Sequence, residues 1–208
     1  MNQNFKKFSN KWMPWLEQVI DSEDHMYLIL DMYKERDNQM TFKELLKSGR
    51  DDLLEFKRTG NPGENGIEDS LTGKYFDQIL ELNNYIYTTA STNYPYDDTF
   101  QPMFLEFYIM RSNALKLINQ IRGNKQYNFI MCDYSKNEYE YQFMPSCEDC
   151  LITEDMIKSL AHSDLSDNIF PRVYSLLRDE HNPIVQMTIE DINMKDRTLY
   201  DKILKFLI

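Results

Sequence analysis

From residue 9 the apolar positions recur at helical spacing: Trp12, Trp15, Leu16, Val19 and Ile20, then Met26 to Leu30 after the acidic break Asp21–Asp24. This predicts one or two helices over 9–34, capped by Ser9 or Asn10 with Pro14 in the first turn. Thr41-Phe42-Lys43-Glu44 is a capping box, because the threonine hydroxyl can accept from the third backbone N–H while the glutamate reaches back. The helix it opens carries Leu45, Leu46, Leu53, Leu54 and Phe56, and Gly49 should weaken it. The glycine-rich stretch Thr59–Gly66 is the sharpest break in the pattern and reads as a loop. A helix is expected over 70–87 and a loop over 88–98. The strongest helix expectation covers 100–122, with Pro102 at its start, Gly123 at its end and a broad apolar face of Phe104, Leu105, Tyr108, Ala114, Leu115, Ile118 and Ile121.

The period then changes from 3.6 to 2. Tyr127–Cys132 and Glu138–Phe143 read as two strands around the turn Ser135-Lys136-Asn137. In the second strand Tyr139, Tyr141 and Phe143 alternate with Glu138, Glu140 and Gln142, the pattern of a sheet with one wet face. Helices are expected over 153–162 and 169–178, a strand over 184–189 and an amphipathic helix over 196–206. The expected fold is therefore α+β and mainly helical. A helical N-terminal part (1–123) packs on a small antiparallel sheet in the C-terminal part (124–208), in the order β-β-α-α-β-α and within a single domain.

Composition supports a folded chain: 42% of the 208 residues are hydrophobic and 13% aromatic, too many for a disordered protein. The net charge of −11 is concentrated. Residues 61–105 hold seven acids against one base, and 128–170 hold nine against two. Such a surface repels phosphate, which disfavours nucleic acid as a partner and favours a protein with a basic surface. No apolar run fits a signal peptide or a membrane span, and three cysteines do not make a disulfide framework. A reducing, cytoplasmic setting is expected. The abundance of Asn, Lys, Tyr, Asp and Met suits an AT-rich bacterial or phage genome.

Two constellations carry candidate chemistry. Cys147-Glu148-Asp149-Cys150, with Cys132 and His162, could supply four zinc ligands, but the second closely spaced pair of a structural site is missing. A redox role fails on the two acids between the sulfurs, which raise a thiol pKa. Asp133 and Glu140 could be neighbours across the hairpin, and opposed carboxylates invite a divalent ion, as in a metal-dependent nuclease. Gln142 stands where such an enzyme needs a lysine. Ordinary loop cysteines and a solvated polar face are the preferred explanations of these residues. Of the histidines, His181 reads as a loop residue, and no cofactor is expected.

Tyr85, Tyr87, Tyr94 and Tyr96 cluster beside Asp97 and Asp98, and Glu138 and Glu140 add an acidic strip. Rigid amphipathic rings next to acids make a good contact surface for a basic protein. The expectation is a non-catalytic inhibitor or adaptor that binds another protein, a profile of size and acidity shared with immunity proteins and anti-defence inhibitors. The alternatives are the metal-dependent nuclease, a DNA mimic and a zinc-stabilised structural domain.

Overall fold

The computed structural model describes residues 5–7, 40–60, 76–92, 103–136, 138–145, 150, 152–154, 176–177, 179, 181–192 and 199–208. The helices expected over 9–34 and most of those over 153–162 and 169–178 lie outside the described residues. The strands are β1 (Phe5–Lys7), β2 (Ile86–Thr92), β3 (Met103–Met110), β4 (Tyr127–Asp133), β5 (Glu138–Gln142) and β6 (Ile184–Asp191). The helices are α1 (Phe42–Thr59), α2 (Phe76–Leu82), α3 (Arg111–Ile121) and α4 (Leu199–Leu207). All the strands join one antiparallel sheet in the order β1-β5-β4-β6-β3-β2.

The fold class is thereby corrected: the molecule is α+β but not mainly helical. Its sheet draws strands from both sides of residue 123 and is not a small C-terminal one. The expected helix 100–122 is in fact a strand followed directly by a helix. Met103–Met110 is an eight-residue apolar run interrupted only by Glu106, and it pairs with β2 on one side and β6 on the other. A strand buried on both faces shows no alternation, so its apolar residues also satisfy a helical template. The expected helix over 70–87 is likewise shorter: Phe76–Leu82 is helical, Asn83–Tyr85 turns, and Ile86 opens β2 through a stretch expected to be loop.

Period-two alternation gives the sheet two different faces. Met103, Leu105, Phe107 and Ile109 of β3, Phe129 and Met131 of β4, and Val185, Met187 and Ile189 of β6 form one face, all at 6% exposure or less. Against them lie Ile79 and Leu82 of α2, Ala114, Leu117, Ile118 and Ile121 of α3, and Leu199, Tyr200 and Ile203 of α4. Burying each large apolar side chain contributes about 1.5–3 kcal/mol. Helix α3 crosses β3, β6 and β4. It begins without a side-chain cap, and its first N–H is taken instead by the carbonyl of Pro183, just before β6 (3.0 Å). Gly123, at φ +78°, turns the chain back into β4.

Helix α1 opens with the expected capping box: Thr41 N–H donates to Glu44 Oε2 (2.8 Å) and Glu44 N–H to Thr41 Oγ1 (3.3 Å). The Thr41 hydroxyl, donating to Glu44 Oε2 (2.7 Å), and then the Thr41 N–H hold the Glu44 carboxyl below its ordinary pKa. Gly49 is buried with Leu45 and Leu53 along the same stripe. A Cβ at Gly49 would stand 2.8 Å from the Tyr87 ring, so the glycine permits close approach of α1 to β2.

Candidate interaction surface

The hairpin β4–β5 carries most of the predicted chemistry, and its register decides where each side chain goes. Asp133 stands opposite Glu138, and Glu140 opposite Met131. Glu138, Glu140 and Gln142 therefore share the helix-facing side of the sheet with Phe129, Met131 and Asp133. The sequence pattern had put this side in water. It fails because β5 lies beyond the apolar core, where the polar ends of α3 reach down to it.

Those ends are arginines. Arg111, the first residue of α3, donates its Nε–H to Asp133 Oδ2 at 2.5 Å, and Ser135 Oγ donates to Asp133 Oδ1 at 2.6 Å. Arg122, just past the helix, pairs with Glu140. Asp133 is fully buried and Glu140 is 3% exposed. Gln142 is spent on the turn after α3. It accepts from Gly123 N–H (2.8 Å) and donates to the carbonyls of Asn124 (2.9 Å) and Tyr127 (2.7 Å). The two carboxylates expected to converge on a metal are instead the feet of two separate ion pairs, one at each end of a helix. Among the described residues, no three His, Cys, Asp or Glu side chains are grouped to hold a metal ion.

The opposite face of the sheet is mixed, with a chain of polar side chains beside the buried Tyr108, Ile130, Cys132 and Ile184. Tyr134 Oη donates to Gln186 Oε1 (2.9 Å), Gln186 Nε2 to Glu106 Oε1 (3.3 Å), and Thr89 Oγ1 to the same Glu106 oxygen (2.8 Å). The pairing of β2 with β3 slips at Thr89, and this bulge turns its hydroxyl toward Glu106. Further along, Asn128 Nδ2 and Ile152 N–H both donate to Glu190 Oε2 (3.0 and 3.2 Å). Back on the helix-facing side, Asp191, also fully buried, accepts from Gln126 Nε2 (3.0 Å) and lies 3.9 Å from Lys202 Nζ. Sequence reading missed Glu106, Gln186 and Glu190 because each sits within an apolar run. The signal for the α3 arginines was available: positions 111 and 122 are three helical turns apart and so fall on one stripe.

Among the expected contact tyrosines, Tyr87 is 8% exposed against Gly49, and Tyr85 is half-buried against the core. Tyr87 lies within β2, and Tyr85 lies in the turn just before it. Tyr94, Tyr96, Asp97 and Asp98 lie outside the described residues. Glu138 is half-buried in β5. On the face of β5 turned away from the helices, the rings of Tyr139 and Tyr141 stack with centroids 6.0 Å apart at 23°. The sequence placed these two tyrosines on one face correctly but gave them no role.

Of the four zinc candidates, the described residues include Cys132 and Cys150, and neither belongs to a group of described side chains that could hold a metal ion. Cys132 is a buried free thiol inside β4; burial first, then the nearby carboxylates of Glu106 and Asp133, push it up to about 12. Cys150 is disulfide-bonded, which takes its sulfur out of metal ligation. Cys147 and His162 lie outside the described residues. His181 is exposed in a turn where its N–H, with that of Asn182, donates to Asp179 Oδ1 and holds that carboxyl low. Among the described residues no helix is long and apolar enough to cross a membrane. Neither a family model nor a curated protein matches the chain, so its function has to be argued from its own residues.

Proposed function

We propose that this protein is a non-catalytic inhibitor or adaptor that binds another protein bearing a basic surface. One observation carries the reading: the buried carboxylates are matched from inside the fold. Asp133 is answered by Arg111 and Ser135, Glu140 by Arg122, Glu190 by Asn128 and the Ile152 N–H, and Asp191 by Gln126 and Lys202. Carboxylates committed in this way hold the fold together and are poorly placed to hold a catalytic metal or move a substrate proton.

The pairs Arg111–Asp133, Arg122–Glu140 and Lys202–Asp191 each remove one charge of either sign, so the chain's excess of acids stays with its other residues. With a net charge of −11 over the chain, the remaining potential attracts a basic partner and repels nucleic acid. The immunity or anti-defence type of inhibitor fits this profile of size, acidity and internally satisfied carboxylates.

The test is capture of a partner by the tagged full-length protein at low and high salt, followed by reconstitution from two purified components. A single stoichiometric partner whose affinity falls with salt is the expected result. Absence of a partner at either salt, or turnover of a nucleic-acid substrate that requires added divalent metal, would overturn the reading.

A further inference from the structure

We draw no further inference here: the strongest candidate, the polar side-chain cluster of Thr89, Glu106, Gln186 and Tyr134 on the face of the sheet turned away from α2, α3 and α4, is joined by hydrogen bonds among its own members, and nothing among the described residues shows what covers it.

Discussion

Arg111 reaches from the first turn of α3 to Asp133 at the end of β4, with the guanidinium Nε 2.5 Å from a carboxylate that has no exposure to solvent. The two partners are not equally buried: the arginine side chain keeps 23% of its surface in contact with water. The pair is therefore asymmetric, and this makes it testable. Arg111→Met leaves a buried charge to which Ser135 still donates, and it should lower stability by about 3 kcal/mol. Asp133→Asn leaves a cation that can turn to water and should cost about 1 kcal/mol. Urea denaturation of the two variants measures the difference, and equal costs would show that the pair is not anchored as described.

Arg122 and Glu140 form the matching pair at the other end of α3. Eleven residues separate the arginines, about 16 Å along a helix axis, so the two ion pairs should behave independently. The double variant Arg111→Met/Arg122→Met should then lose the sum of the two single losses to within about 0.5 kcal/mol. A clearly smaller loss would mean that breaking either pair already frees the hairpin from the helix.

The Cys132 thiol ties stability to alkaline pH. Its pKa is raised from an ordinary 9.0 to about 12 by burial and by the carboxylates of Glu106 and Asp133. Above pH 9 the unfolded chain releases this proton while the folded chain keeps it, so the unfolded state binds fewer protons and stability falls as pH rises toward 12. The contribution is fully present below pH 9. Comparing urea midpoints of the wild type and Cys132→Ala at about pH 7.5 and about pH 10 isolates the effect. The wild type should lose more stability across that interval, and its thiol should resist alkylation until the protein unfolds.

Gly49 sits where α1 meets the Tyr87 ring, and an added Cβ would lie 2.8 Å and 3.0 Å from two ring carbons. Alanine improves helix propensity by about 1 kcal/mol, but overpacking a buried contact costs about 1–3 kcal/mol. Gly49→Ala should therefore be neutral to destabilising in the wild type. It should turn stabilising once Tyr87→Ala has opened the space, which a double-mutant cycle on thermal midpoints would reveal.

What could be read from the sequence follows from how each signal arises. The Thr41–Glu44 capping box is a local motif, and it appears where it was expected. The hairpin was legible too, because Glu138–Gln142 alternates and a polar turn separates it from β4. β3 was not, because a central strand buried on both faces loses its period-two signature, and Phe104, Leu105 and Tyr108 then imitate a helix. The hairpin glutamates were placed in the correct alternation but assigned to water. The arginines that bury them come from an element elsewhere in the chain, so no local pattern announces the pairing. Gly49 was read as a weakness of its helix, since only the packed structure shows Tyr87 beside it.

The position of β6 also governs how a nascent chain can fold. β6 lies between β3 and β4, with Met103 opposite Asp191 and Tyr127 opposite the same residue. While the chain is being made, the β4–β5 hairpin can form at once, as can β2 against β3, but neither pair can reach the other without the strand at 184–191. Pairings this distant in sequence are slow to form. Until that strand leaves the ribosome, β3 and β4 each present an apolar edge, and the unfinished chain is at its most prone to aggregate. A stop codon anywhere between 145 and 183 would thus yield two half-sheets with open edges, a product for chaperones and proteases rather than a shortened working protein.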